Sequence, residues 1–366
     1  MLDPRLLYLR IAIVAGALSG MALSYKLWLS ARFYPLTPVF PFLKPLPSPY
    51  DAIVFGAALV ALTACALTPR LIPVFAVLAV MLAVMDQSRL QPWFYQYLFL
   101  LLGVAFAAPN ACRLIVAMVY FWSGIQKINA GFMNDVFPWM LEPFLRHLPQ
   151  AAAKLVHPLA LSAPFIEAAI GLALLTRKFR SAGVAAALAM HLFILISLGP
   201  VGQNYNHVIW PWNIAMAAFV VILFWKSDAV AGAFEGWFQF VAMLLFAIAP
   251  ALSFFGYWDH YPSSAMYSGN RNRGMIYFSD SNLEKLPDGI AEYAREETPD
   301  IDSIDIAEWS WTELNVPPYP EVRVFKNIGR SLCGYADVTL SITGKSTLGS
   351  RSVTTRSFAC AALKTP

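Results

Sequence analysis

The sequence predicts an all-α polytopic membrane helix bundle of about nine spans, followed by a small C-terminal α/β extramembrane domain. Three observations predict it. Of 366 residues, 58% are hydrophobic and only 13% charged, against about 45–50% and about 25% in soluble domains. Nine apolar segments are long enough, or nearly long enough, to cross a bilayer. Charge is also divided along the chain: residues 1–256 carry 15 Lys/Arg and 8 Asp/Glu, a balance of +7, while residues 257–366 carry 11 and 14, a balance of −3. The expected domains are therefore a transmembrane bundle over 1–256 and an extracytoplasmic α/β domain over 257–366. No basic cluster points to nucleic acid.

The nine segments fall at about 8–25, 51–67, 71–86, 94–108, 112–128, 157–176, 181–198, 208–225 and 235–255. The first shows no obvious cleavage site and reads as a retained signal anchor. With the N-terminus in the cytoplasm, the short inner loops hold Arg5 and Arg10, Arg70, Arg113, Arg177, Lys178 and Arg180, and Lys226, with only Asp3, Asp228 and Glu235 opposing them. This agrees with the positive-inside rule and sends the tail outside, as expected in a bacterial inner membrane. The first outer loop, "FYPLTPVFPFLKPLPSPYD", is aromatic and Pro-rich and reads as irregular structure along the membrane surface.

In the tail, "GMIYF" (274–278) reads as a strand and "SNLEKLPDGIAEYAREE" (281–297) as a helix capped by Asp280 or Ser281. The segments 336–344 and 352–363 alternate like a hairpin around "KSTLGSR". An oxidising outer compartment allows a disulfide between Cys333 and Cys360 that would pin this hairpin to "VFKNIGRSLC"; two unpaired buried thiols are the other reading. Cys65 and Cys112 read as small buried hydrophobes. No spacing suggests a metal site.

Ionisable side chains inside membrane spans are costly and mark candidate sites. Lys127 ends the fifth segment, Glu167 lies within the sixth and His191 within the seventh. At about 1.5 Å per residue, Glu167 and His191 are each about 15 Å deep, so the three fit one outward-opening cavity. Tyr120 lies seven residues before Lys127 on one stripe, with Ser123 and Gly124 beside it. The broken, polar "GPVGQNYNHVIWPWN" (199–213) offers Gln203, Asn206 and His207 as a cap over that cavity. Each has a bland counterpart: Lys127 as a snorkelling helix end, Glu167 as half of a structural ion pair, His191 as a satisfied core imidazole, and His207 as an interfacial anchor beside Trp210 and Trp212.

The segment "VYFWSGIQKINAGFM" (119–133) resembles the Y-F-x-x-G-x-x-K-[LI]-[ND] stretch of the horizontally transferred transmembrane domain family, which includes the vitamin K-dependent gamma-carboxylases. The similarity continues through Glu167 with "GLALL" and His191 with "GQNYNH", over residues 95–225. It implies a quinol-dependent enzyme, carboxylase-like or a quinone-linked oxidoreductase or lyase. Residue by residue only Lys127, as its base, carries over; on the chemistry of the side chains themselves, Glu167 would relay a proton or hold a partner and His191 would orient or donate to a quinone oxygen. Tyr120, Gln203, Asn206 and His207 would be the quinone-binding residues. A second lysine precedes this one in the carboxylases, where Gln126 stands here, and residues 257–366 replace their large lumenal region. The expected partners are the lipid bilayer, a membrane quinone and an extracytoplasmic protein. The alternative is a non-catalytic membrane anchor whose tail recruits a redox partner. A carrier is a third class, but no inverted repeat supports it.

Overall fold

Long runs of Ala, Leu, Val and Ile with few interior breaks favour helix, and the computed structural model is mostly helical. It describes residues 4–149, 154–227, 236–348 and 353–364. Asp3, Asp228, Glu235 and the 349–351 part of the expected turn lie outside the described residues.

The apolar part contains α1 (Pro4–Leu23), α2 (Tyr50–Cys65), α3 (Ile72–Met85), α4 (Pro92–Ala105), α5 (Pro109–Gln126), α6 (Phe137–Leu145), α7 (Val156–Leu175), α8 (Arg180–Leu198) and α9 (Ile209–Phe224). A further helix, α10, starts at Trp237–Ala242 and runs on through a π-helical stretch, Met243–Ile248, into a 3₁₀ stretch, Ala249–Phe255. Among the described residues, four helices are long and apolar enough to cross a membrane: Pro4–Leu23, Val156–Leu175, Arg180–Leu198 and Trp237–Phe255. The count of about nine spans is not confirmed. The apolar helices α2, α3, α4 and α9 have only 14–16 residues, about 21–24 Å of helix against a hydrocarbon core of about 30 Å. Helix α6, with the π-helical turn Phe132–Val136 before it, was not expected between the fifth and sixth segments.

The chain forms two compact units. The first comprises Met1–Leu23, Ala58–Val77 and Pro92–Asn270; the second comprises Ser24–Ala57, Leu78–Gln91 and Arg271–Pro366. In the first, α5 and α7 cross backbone against backbone. A Cβ on Gly124 would lie 2.4 Å from Ala168 N and from Pro164 O, and one on Gly171 would lie 2.5 Å from Ala117 O. Only glycine permits that approach, as in small-residue packing between membrane helices.

The second unit is built on a five-stranded antiparallel sheet of order β2-β3-β1-β4-β5, with β1 Arg273–Ser279, β2 Arg295–Thr298, β3 Ile301–Asp305, β4 Thr339–Thr343 and β5 Thr355–Ala359. Ile276 pairs with Ile304 on one side and Leu340 on the other. This buried row lies on the sheet face covered by α13 (Ile306–Leu314) and α14 (Val322–Leu332). Helix α14 turns Val324, Phe325, Ile328 and Leu332 inward, the i, i+1, i+4, i+8 spacing of one helical face.

The single helix expected over 281–297 is not found. Two one-turn helices, α11 (Asp280–Leu283) and α12 (Asp288–Ala291), stand there, and Arg295–Thr298 is strand β2. Pro287, which lacks an N–H and cannot sit in a helix interior, separates the turns. The second hairpin arm is also shorter than expected, because β5 gives way at Cys360 to α15 (Cys360–Lys364). Cys333, capping α14, is disulfide-bonded to Cys360 at the start of α15, and Cys65 and Cys112 are free and buried.

The Pro-rich loop before α2 belongs to this second unit, and its backbone donors end on buried carboxylates. Glu313 accepts Phe33 N at 2.6 Å, Tyr34 N at 2.8 Å and Trp309 Nε1 at 2.9 Å. Asp86 accepts both the N–H and the hydroxyl of Thr37 and pairs with Arg32 at 2.5 Å. The loop is irregular because six prolines remove donors, yet its position is fixed.

Removing the disulfide, by Cys333→Ser with Cys360→Ser, should destabilise the second unit by about 3.5 kcal/mol. This is the chain-entropy expectation for a closed loop of 27 residues, to be read by denaturant unfolding of the full-length protein.

Candidate functional site

The first unit encloses a cavity of about 420 Å³. Its walls follow from helical spacing. Helix α5 contributes Val119, Tyr120 and Ser123, with Lys127 as its C-terminal cap residue. Helix α7 contributes Leu159, Ser162, Ala163, Ile166 and Glu167; α9 contributes Ile209, Trp212, Asn213 and Met216. Both sets repeat at i, i+3, i+4 and i+7, one face of an α-helix. Helix α8 adds Met190, His191, Phe193 and Ile194, and α6 adds Phe137, Met140 and Leu141. Leu159 and Ile166 line the cavity yet are 44% and 55% exposed, which puts an opening beside α7, one of the helices long and apolar enough to cross a membrane.

Lys127, Glu167 and His191 all line this cavity, as does Tyr120. Lys127 Nζ donates to Glu167 Oε2 at 2.8 Å and Oε1 at 3.0 Å, and to Ser123 Oγ at 2.6 Å. Phe132 lies under the ammonium, 6.0 Å from Nζ to the ring centroid. Lys127 therefore does not snorkel; it is held inside by a carboxylate, a hydroxyl and an aromatic face. Glu167 sits against it in the same apolar wall, so any chemistry at Lys127 starts from an ion pair.

A second polar group lies on the same cavity. Tyr120 OH and His191 Nε2 are 2.5 Å apart, His191 Nδ1 and Asn213 Oδ1 are 2.8 Å apart, and Asn213 Nδ2 donates to Ile209 O at 2.9 Å. Sequence reasoning overlooked Asn213, though an asparagine inside "IWPWNIAMAAFVVILF" was a usable signal. Behind α9, Gln96 accepts Trp212 Nε1 at 2.8 Å, which holds that indole against the cavity.

The other candidates stand apart from the cavity lining. Gln203 donates to Trp139 O and to Glu142. His207 stacks edge-on with Trp210, ring centroids 4.8 Å apart. Asn206 reaches the cavity only through a partner, donating at 2.7 Å to the hydroxyl of Tyr267, which lines it. Gln126, where the carboxylases have a second lysine, is turned away to Ser253 Oγ.

The segment "WDHYPSSAMYSGN" (258–270) has its place here, since Met266 and Tyr267 line the cavity. Asn129 pins it by donating to Ser268 O at 2.7 Å, while Asn129 Oδ1 accepts Phe132 N at 3.0 Å. One side chain thus sets both the turn after Lys127 and the segment over it. Among the described residues no group of three or more His, Cys, Asp or Glu is placed to hold a metal ion.

Two variants test this packing by thermal unfolding in detergent. Gly124→Ala forces a methyl into backbone atoms of α7 and should cost about 1–3 kcal/mol. Lys127→Ala leaves a buried carboxylate unpaired and should cost about 3–5 kcal/mol, whereas Lys127→Met with Glu167→Leu, which removes both charges, should cost less than Lys127→Ala alone.

No curated protein and no solved structure matches the chain. None of the comparisons returns a carboxylase, so the resemblance read from the lysine segment is without support. The family model that does match is that of the methylamine utilisation protein MauE, over residues 93–209, a stretch that holds α5, α7, α8, Lys127, Glu167 and His191.

Proposed function

We propose that the helical unit binds a membrane quinone or quinol in the Lys127–Glu167 cavity and exchanges protons with it. The observation that carries this reading is the cavity itself: apolar walls, two hydrogen-bonding groups, and charges that cancel. Its volume of about 420 Å³ lies in the usual range for small-molecule sites, about 300–1,000 Å³. Lys127 is neutralised by Glu167, so a ligand with a fixed charge would meet no unpaired counter-charge there. A neutral ring with oxygen atoms at opposite edges and an apolar tail matches the lining. The exposed Leu159 and Ile166 supply a lateral route from the lipid.

The bound quinone would supply the redox chemistry; the chain's own residues hold it, exclude water and manage protons. The ion pair can shift one proton along the 2.8 Å bond from Lys127 Nζ to Glu167 Oε2, leaving a neutral amine and a neutral acid with no change of net charge. Lys127 can then act as a general base towards a ligand proton. A carboxylase-type step at a carbon acid would need the same shift.

The match to a methylamine utilisation protein favours a second reading, a membrane accessory subunit whose five-stranded unit recruits an extracytoplasmic partner. Extraction of the full-length protein followed by mass spectrometry separates the two. The expected result is a co-purifying isoprenoid quinone that is lost in Ala163→Trp, whose indole fills the cavity, with helix content unchanged. A wild-type extract without quinone overturns the quinone reading; a stoichiometric protein partner in the same preparation would put the accessory reading in its place.

A further inference from the structure

The Tyr120 hydroxyl, the His191 imidazole and the Asn213 amide, all from residues that line the cavity, form a chain across α5, α8 and α9. Their residues are only 2%, 4% and 3% exposed, so water does not compete for their hydrogen bonds. The direction of the chain follows from its far end. Asn213 Nδ2 donates to the carbonyl of Ile209, one turn back on its own helix. That orientation turns Oδ1 towards His191. An amide oxygen only accepts, so His191 Nδ1, 2.8 Å away, carries the proton. A neutral imidazole has one ring proton, which leaves Nε2 bare, and the Tyr120 hydroxyl donates to it across 2.5 Å.

We infer that Tyr120, His191 and Asn213 form a one-proton relay set to accept, so that the ligand it serves is a neutral hydroxyl donor, the reduced quinol class. This rests on the cavity being a proton-exchange site. Tyr120, which lines the cavity, is the catalytic residue; His191, hydrogen-bonded to its hydroxyl, is the base; Asn213 is the positioning residue. In the step, the ligand O–H breaks and its proton bonds to the Tyr120 oxygen. The former Tyr120 O–H breaks and that proton bonds to His191 Nε2. The products are a deprotonated ligand, a neutral tyrosine and an imidazolium whose second N–H still rests on Asn213 Oδ1. Asn213 cannot pass the proton on, because its oxygen accepts hydrogen bonds without binding a proton near neutral pH. The relay therefore fills after one proton and empties only back through Tyr120. A carboxylate at position 213 would lack that stop.

The tautomer is the test. Full-length protein labelled with 15N-histidine, in lipid nanodiscs, reports it through the two ring-nitrogen shifts, and His191→Gln identifies the resonance among the five histidines. The expected state is a protonated Nδ1 and a bare Nε2. Asn213→Leu should move at least half of His191 to the other tautomer, and Asn213→Asp, which keeps an acceptor oxygen against Nδ1, should restore it. A wild-type His191 protonated on Nε2, or a spectrum unmoved by Asn213→Leu, overturns the relay. If Asn213→Leu does not fold, Tyr120→Phe serves instead. It should displace the Nε2 resonance and leave Nδ1 protonated, and an unmoved Nε2 resonance would be equally fatal. The tautomer belongs to the protein alone, so absence of a co-purifying quinone would overturn the ligand reading without altering this result.

Discussion

The crossing of α5 and α7 is the constraint on which the helical unit depends. Gly124 and Gly171 let the two backbones meet, and the same crossing sets Lys127, three residues beyond Gly124, against Glu167, the neighbour of Ala168. Neither charge could be buried among these apolar side chains alone, since an unpaired buried ion costs several kcal/mol. The pair is thus permitted by the glycine contact, and once formed it resists any sliding of one helix along the other. A shift by one turn would move the ammonium about 5.4 Å from its carboxylate.

With that crossing set, the remaining helices bring their faces to a common space. Trp212 is fixed from behind by Gln96, His191 by Asn213, and the 258–270 segment by Asn129. Each polar group in the wall is satisfied by a neighbour that is itself anchored. Low dielectric strengthens such bonds and penalises any left unmade, so the wall is held in one arrangement. The two polar groups also differ in kind. The Lys127–Glu167 contact is an ion pair, whereas Tyr120 and His191 share a hydrogen bond backed by Asn213 at the other ring nitrogen.

The second unit meets a different difficulty, because a small sheet covered by two helices has little apolar surface to bury. It gains further stability from covalent and polar ties. The Cys333–Cys360 bridge joins α14 to the end of the last strand. Glu313 gathers two loop amides and an indole N–H onto one buried carboxylate. Tyr34 then packs edge-on against Trp309, centroids 5.1 Å apart. An aromatic, donor-poor loop becomes part of a folded unit because its Phe33, Tyr34 and Thr37 amides find carboxylate acceptors elsewhere in it.

Composition and periodicity by themselves determined that the chain is helical and membrane-bound with a mixed α/β tail, and they placed most helices to within a few residues. Burial leaves a repeating apolar mark on sequence, so those features are local and readable. The strand "GMIYF" was readable for the same reason, whereas the Cys333–Cys360 pairing rested on the oxidising compartment expected for the tail, with unpaired thiols as the other reading. Lys127, Glu167 and His191 stood out because charge is rare in apolar helices, and that rarity is local too. Only the tertiary structure decided that Lys127 is half of an ion pair, that Asn213 orients His191, that Gln203 and His207 stand away from the cavity, and that the loop before α2 closes on Glu313. The Lys127–Glu167, His191–Asn213 and Phe33–Glu313 contacts join residues 22 to 280 positions apart. Such pairings depend on how helices cross and where backbone donors fall short, and no repeat within a single helix records either.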